Sequence, residues 1–501
     1  MSTLSLLLSG FAQCFTWERM IACVAGVLVG TLTGVLPGIG VTGAMALLLP
    51  ISFGMDAITA LILFAGIYYG AMYGGSTTSI LVNLPGEAAS VVTCLDGNQM
   101  AKKGRAGAAL AISAWGSFIA GTIGLIALTF IADDIAGLAL KFKSPEYFAI
   151  CVLGLVILTN LTGKNPLKSL LMVFFGLALG TIGMDDVFGV SRFDFGNMYL
   201  KRGIEFGVVA MAVFGINELF GTLLEPQDDD IKIEKVKIRD LYPNREEWKR
   251  SVAPILRGTV IGFLIGLIPG PAGTLASFSS YAAEKKVSKH PEEFGHGAIE
   301  GVAGPESANN AASSAAFVPL LSLGLPFAPP SALLLTAFIT HGIQPGPTLI
   351  TQHPDVFWGL IASMYIGNVF LMIINLPMVG VFASILKCPA KILMPVVMVI
   401  TYTGAFATNG TTFDIVLLII LGVLSYIVSK YGYSMAPLAV GICMASTLEQ
   451  RFQQTMIMTR GDISRLAKYP IACVILGLAV FLLLISLLKP VKKVLMNSKE
   501  D

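Results

Sequence analysis

The sequence predicts an all-α polytopic membrane protein made of two similar halves, and three observations carry that prediction. The chain of 501 residues is 55% hydrophobic and only 13% charged. A soluble domain carries about 25% charged residues, so this one could not cover its own surface in water. Long apolar stretches recur along it. Inside two of them the same proline–glycine break appears.

A membrane span needs about 20 apolar residues. The clear runs are 21–36, 106–131, 147–161, 167–182, 206–224, 356–386, 415–428 and 471–488. With the shorter and interrupted pieces between them, about ten to fourteen membrane segments are expected. The net charge is +2 and basic residues are scattered, whereas nucleic-acid binding needs a clustered basic face. Cys14, Cys23, Cys94, Cys151, Cys388, Cys443 and Cys473 have no paired spacing and read as small hydrophobes, neither a disulfide framework nor a metal site. No Lys or Arg precedes the first leucine run, which argues against a cleaved signal peptide. Lys489, Lys492, Lys493 and Lys499 favour a cytoplasmic C-terminus, although Arg451, Arg460, Arg465 and Lys468 on the other flank nearly cancel that bias.

The first break is Gly30-Thr-Leu-Thr-Gly34-Val-Leu-Pro37-Gly38-Ile-Gly40-Val-Thr42 and the second is Gly262-Phe-Leu-Ile-Gly266-Leu-Ile-Pro269-Gly270-Pro-Ala-Gly273-Thr274. At a spacing of 232 they agree in six positions of thirteen. A helix interior tolerates neither residue well: proline removes a donor and clashes with the preceding turn, and glycine costs backbone entropy. Such interruptions in matching places of two halves are the best sequence pointer to a transporter's binding site. Breaking a membrane helix frees N–H groups at one half-helix end and carbonyls at the other, which suit anions and cations respectively. Thr42 and Thr274 follow the breaks at equal offsets and add hydroxyls.

The charged segment Glu225–Arg250 falls between the copies and reads as a solvated linker. The chain therefore divides into a first membrane half, 1–224, the linker 225–250, and a second half, 251–501. A weaker correspondence supports this. Tyr68 to Glu87 and Asn309 to Phe327 are both crowded with Gly, Ala, Ser and Thr before a Leu-Pro pair, and the pairs are 241 apart. Small residues let backbones approach closely in a bilayer and leave room for a ligand. Ser76, Thr77, Thr78, Ser79, Asn83, Asn309, Asn310 and Ser313 are the polar candidates in these runs. Glu87 and Glu306 follow Pro85-Gly86 and Pro305, and an ionisable group at membrane depth is a functional candidate as a proton or charge carrier.

Enzyme signatures are missing. Gly38-Ile-Gly40-Val-Thr-Gly43 spells a dinucleotide fingerprint, but a membrane helix and Pro37 precede it where a buried strand is required. There is no G-x-S-x-G, H-E-x-x-H or P-loop, and His290, His296, His341 and His353 pair with no evident nucleophile. An enzyme is not expected.

The run YYGAMYGGSTTSILVNLPGEAASVVTCLDGNQMAKKGRAGAAL, together with LTGVLPGIG, IGLIPGPAGTLASF and GVAGPESANNAASSAAFVPLLSLGLPFAPPSALLL, resembles the TctA family, the large membrane subunit of the tripartite tricarboxylate transporters. The resemblance implies a multi-pass permease of the bacterial inner membrane that uses an ion gradient, with sodium as the ion and no other cofactor. It implies a small four-helix membrane subunit and a periplasmic solute-binding protein as partners, and citrate or related di- and tricarboxylates as cargo. It further implies two repeats of opposite topology with re-entrant hairpins and an elevator-like mechanism. On this reading the carboxylate contacts Gly38, Gly40, Gly270, Gly273, Ser76–Ser79, Asn83, Asn309 and Asn310. Sodium takes carbonyls at Pro37 and Pro269 and oxygens of Thr42, Thr274 and Ser313. A proton-coupled carrier using Glu87 or Glu306 is the alternative, and an intramembrane enzyme or a structural scaffold are weaker ones.

Overall fold

The computed structural model describes residues 3–36, 40–162, 165–185, 187–224, 241–385 and 390–497. Pro37, Gly38 and residues 225–240 of the charged segment lie outside these. The first helices are α1 (Thr3–Cys14), α2 (Trp17–Val35), α3 (Gly40–Leu48), α4 (Ala57–Val82), α5 (Val91–Met100), α6 (Ala106–Ala139), α7 (Ser144–Leu161) and α8 (Pro166–Gly180). A small hairpin, β1 (Gly183–Met184) and β2 (Ser191–Arg192), leads to α9 (Met198–Lys201), α10 (Phe206–Ala210) and α11 (Asn217–Leu224). Then come α12 (Arg245–Gly266), α13 (Ala272–Val287), α14 (Glu300–Ala315), α15 (Phe317–Leu323), α16 (Pro329–Thr340), α17 (Leu349–Gln352) and α18 (Pro354–Asn375). The chain closes with α19 (Val379–Ile385), α20 (Ala390–Asn409), α21 (Thr412–Lys430), α22 (Met435–Thr459) and α23 (Pro470–Asn497).

This is an all-α polytopic membrane protein. Among the described residues, 6 helical runs are long and apolar enough to cross a membrane, and further apolar helices span only 10–17 residues. Ten to fourteen segments were expected from composition. The difference is one of length, because proline and glycine cut several apolar runs into pieces. Run 356–386, for instance, is divided after Asn375 into α18 and α19.

The linker expected at 225–250 ends sooner. Asn244 caps α12, accepting from the Glu247 N–H at 2.9 Å while Glu247 accepts from the Asn244 N–H at 2.6 Å. Residues 245–250 are thus helical, and Arg105 forks onto Glu247 while Arg250 Nε donates to Glu300 at 2.8 Å. Of the mixed charges in this segment, Glu247 and Arg250 are partners for neighbouring helix ends.

Both broken runs fold back on themselves. Arg257 in the middle of α12 pairs with Glu284 near the end of α13 (Nε to Oε1, 2.8 Å), so α13 returns along α12. Arg19 at the start of α2 lies 3.7 Å from Asp56, the N-cap of α4, so α3 likewise leads back to the end from which α2 set out. The break at Pro269-Gly270 is therefore the tip of a helical hairpin, and α2 and α3 flank the other break in the same antiparallel way.

Glycines hold the hairpins in place. Gly26, Gly30 and Gly34 of α2 press against the main chain of Leu63, Ile67 and Ala71 of α4. Gly258, Gly262 and Gly266 of α12 press in the same way against Gly304, Ala308 and Ala312 of α14. The glycines correspond at a spacing of 232 and their partners at 241. In each pair the helices run parallel. Between the pairs the direction reverses: Ser76 of α4 meets Glu306 of α14, and two turns earlier on α4 Tyr69 Oη donates to Ser314 Oγ at 2.8 Å. α4 is apolar all round and almost wholly buried, as a central helix must be.

α4 ends at Asn83 (φ 59) and α15 ends at Gly324 (φ 71), 241 residues later, both in the left-handed conformation that terminates helices. From these caps the chain turns back inward to Glu87 and Ala328, each the N-cap of the helical stretch that follows.

A side chain at Gly262 would collide with the Ala308 carbonyl, so Gly262→Val should destabilise the fold by about 1–3 kcal/mol. Thermal unfolding of the purified protein measures this, and Gly137→Val, where a Cβ meets nothing within 4 Å, should behave as wild type.

Candidate substrate cavity and the buried carboxylate beside it

A cavity of about 490 Å³ opens where the hairpins and the two inward turns converge. Its walls are Gly40–Gly43, Pro85–Ala89, Pro271–Thr274 and Ala328–Pro330, with Tyr68 and Met72 from α4 and Asn309 and Ser313 from α14. Four helix beginnings face it: those of α3, α13, α16 and the 3₁₀ turn Ala88–Ser90 that runs into α5. First-turn N–H groups have no partner within their own helix, and they carry the positive end of the helix dipole.

The walls pair off by the two spacings already noted. Thr42 corresponds to Thr274 at 232, while Tyr68, Met72 and Glu87 correspond to Asn309, Ser313 and Ala328 at 241. The walls match in position and differ in chemistry. Among the described residues no Lys, Arg or His lines the cavity, and Glu87 brings the one carboxyl. Asn309 Nδ2 donates to Glu87 Oε1 at 2.8 Å, while Asn309 Oδ1 is buried without a partner. An anion placed here would meet peptide N–H groups and the hydroxyls of Thr42 and Thr274. It would also meet Glu87, whose charge repels it unless a proton or a cation is taken up.

Of the sequence candidates, Gly40, Thr42, Gly273, Thr274, Asn309, Ser313 and Glu87 face this cavity. Gly270 does not: with φ 135 it forms the hairpin turn, and its N–H donates to the Phe327 carbonyl at 3.1 Å. Pro269 is buried beside Gly154 of α7. Pro37 and Gly38 lie outside the described residues. Asn83 is exposed as the cap of α4, and the residues that follow it, not Asn83 itself, turn inward. Ser76, Thr77, Thr78 and Ser79 stay in the last turns of α4, away from the cavity. Thr78 and Ser79 donate back to the Gly75 carbonyl at 3.0 Å each. Four consecutive polar residues spiral around a helix, and here Ser76 reaches Glu306 of α14 while Thr77 borders a small void beside α6. Asn310 also points elsewhere, its Nδ2 donating to Ser117 Oγ of α6 at 2.7 Å.

Glu306 sits apart from the cavity, buried between α4, α5 and α6. Ser76 and Thr93 hydroxyls donate to its two oxygens. The sequence reading missed Thr93, Ser113 and Asn375 around it, because isolated polar residues in apolar helices carry no pattern. It also missed Asp96, which accepts from the N–H groups of Gly295 (2.8 Å), Gly297 (2.7 Å) and Ala298 (2.9 Å) and from Tyr281 Oη (2.9 Å). That carboxylate fastens the loop between α13 and α14 to α5.

With this geometry in view, comparison with known proteins places the chain. Residues 20–440 match the model of the tripartite tricarboxylate transporter TctA family. The chain belongs to that family. This TctA protein is 47% identical over 492 residues, 98% of each chain, to an Agrobacterium vitis protein described as "Uncharacterized 52.8 kDa protein in TAR-I ttuC' 3'region". It is 46% identical over 231 residues, 46% of this chain and 96% of the other, to "Uncharacterized protein in TAR-II ttuC' 3'region" of the same organism. No solved structure matches. The family is one of transporters, and its description fits a multi-pass membrane protein.

Asp96→Ala should leave three N–H groups of the 295–298 turn without an acceptor, at a cost of about 1–3 kcal/mol each. Hydrogen exchange is expected to quicken there while the α4 amides keep their protection.

Proposed function

We propose that this TctA protein is the large permease subunit of a sodium-coupled, binding-protein-dependent system that takes up di- and tricarboxylates across the bacterial inner membrane. The observation that carries the reading is the cavity: four helix beginnings converge on a space that, among the described residues, has no basic side chain and one carboxyl. N–H groups and hydroxyls can hold a carboxylate, but they cannot cancel its charge. Cations taken up with the cargo do so, which makes coupling a requirement of the site rather than an addition to it. The size suits such a cargo, since small-molecule pockets run from about 300 to 1,000 Å³. Citrate is the type of ligand in view. The partners in this reading are a periplasmic solute-binding protein that delivers the carboxylate and a small four-helix membrane subunit.

In this reading, 1–224 and 251–501 are two repeats of inverted topology joined by 225–250. The recurrence of glycine contacts and wall positions at fixed spacings supports it, as does the reversal between the α2–α4 and α12–α14 pairs. The hairpins, their inward turns and the cargo between them move together as an elevator against the remaining helices. Lys102, Lys103 and Arg105 lie at the same rim as Arg250, and positive charge favours the cytoplasmic side for that rim. The lysine-rich tail favours the same side for the C-terminus.

Uptake of labelled citrate and other di- and tricarboxylates by proteoliposomes, supplied with the partner proteins, tests the proposal under imposed sodium or proton gradients. A sodium gradient should raise uptake; sodium-independent uptake would overturn the coupling. Glu87 at the wall favours a second reading, with a proton on Glu87 doing the neutralising. In that case a proton gradient drives uptake and Glu87→Gln abolishes the response.

Thr274→Val and Thr42→Val each remove one hydroxyl from the wall. Each should weaken carboxylate binding by about 1 kcal/mol, roughly fivefold, measured as the half-saturating concentration for uptake.

A further inference from the structure

We propose that a small void between α4, α6 and the end of α18 binds one monovalent cation of sodium's size, with Glu306 as its counter-charge. This site is separate from the large cavity. It deepens the ion-coupled reading and rests on that reading for its purpose.

Glu306 is 1% exposed. Its carboxylate receives the hydroxyls of Ser76, Thr93 and Ser113, from three different helices. Among the described residues none of the ion pairs includes it, and Arg257, on the helix packed along α14, is committed to Glu284. Hydroxyls solvate a carboxylate without neutralising it, and an uncompensated charge in a low-dielectric interior is strongly unfavourable.

Beside it is a void of about 10 Å³ whose polar lining is Tyr73, Ser76, Thr77, Ser113 and Asn375. That is room for one particle the size of a water molecule. Ser76 and Ser113 belong to both places: they bond Glu306 and they border the void. Asn375 is 5% exposed. Its Nδ2 donates to the Leu371 carbonyl at 3.0 Å, and a carbonyl can only accept, so the amide's orientation is set. The Oδ1 is left buried with no partner.

Two deficits thus adjoin: a carboxylate lacking positive charge and an amide oxygen lacking a donor. A proton on Glu306 would remedy the first alone, and a water molecule the second alone. A small cation remedies both, and hydroxyl, amide and carboxylate oxygens are the donors a hard cation prefers. Nor does the fold itself require polar groups here. At the 241 spacing Glu306 corresponds to Ala65 and Ser76 to Phe317. The titratable groups that sense Glu306 are Tyr73 from α4, Cys94 from α5 and Glu87 from the inward turn. α6 and α18 present Ser113, Ser117, Asn368 and Asn375, none of which titrates.

The test is thermal unfolding of the full-length protein in lipid nanodiscs, without any carboxylate, titrated with sodium chloride against choline chloride at constant ionic strength. Wild type should show a saturable sodium-dependent rise in melting temperature. Ser113→Ala and Asn375→Ala should raise the half-saturating sodium concentration by about tenfold or more. Thr77→Val serves if either variant fails to fold. Ser363→Ala on α18, whose hydroxyl bonds its own helix at Leu360, should match wild type. Unchanged half-saturation in the lining variants would overturn the site, as would a wild type indifferent to sodium. A pH-dependent stability lost in Glu306→Gln, with no sodium response, would overturn it in favour of a proton. Sodium binding without carboxylate uptake would defeat the permease reading and leave this site standing; uptake without it would do the reverse.

Discussion

Main-chain contact between α2 and α4, and between α12 and α14, is the constraint on which the rest of the molecule depends. A hairpin tip at membrane depth holds peptide groups outside any helix where lipid offers no hydrogen bonds. Such backbone survives only when protein surrounds it or water reaches it, as where the Phe327 carbonyl accepts from the Gly270 N–H. Glycines at four-residue intervals let the arms of the hairpins lie directly on the carbonyls of α4 and α14. The arm is then fixed along its whole length, and the tip falls where the two inward turns begin their own helices. The cavity follows from this packing. Its walls are the ends of elements whose positions were set two and three turns away.

Charge decides what such a cavity can do. Arg105 and Arg250 at the rim are taken up by Glu247 and Glu300, and Arg257 in the middle of α12 by Glu284. None of them lines the interior space. Inside, the fixed charges are carboxyls, Glu87 at the wall and Glu306 behind it. A site of that composition gains an anion only together with cations, and under the proposed reading this is the physical origin of coupling. An arginine in the wall would bind the cargo more tightly, yet it would allow the anion to move with no ion beside it.

How much of this was legible in the sequence depends on whether a feature leaves a pattern. The breaks at Pro37 and Pro269 did, and the residues just beyond them, Gly40, Thr42, Gly273 and Thr274, reach the cavity wall. That the chain re-enters in hairpins was expected from the family resemblance alone, because proline and glycine mark a break without giving the direction taken after it. The Ser76–Ser79 cluster attracted a substrate-binding role by its density, but density along a helix spreads over all its faces: Ser76 and Thr77 line the small void, and none of the four lines the large cavity. Asn83 looked like a ligand, whereas a left-handed cap is the other common use of asparagine. The polar partners of Glu306 are single residues drawn from separate helices, so only the packing brings them together.

The correspondence between the halves separates what the fold needs from what the chemistry needs. Where both halves keep a residue type, as at Gly30 and Gly262 or Thr42 and Thr274, backbone approach or a shared wall explains it. Where they differ, packing gives no reason for the difference. Tyr68 stands opposite Asn309, Glu87 opposite Ala328, and Ala65 opposite Glu306. An alanine fills each of the last two positions in the other half, so neither glutamate is needed to close the structure. A buried carboxyl that the architecture does not require is held against its desolvation by something else, and the groups around Glu87 and Glu306 are oxygens and amides suited to small cations or protons. Under the proposed reading, the departures from matched positions therefore mark the residues that bear on coupling, Glu87 at the cavity and Glu306 apart from it.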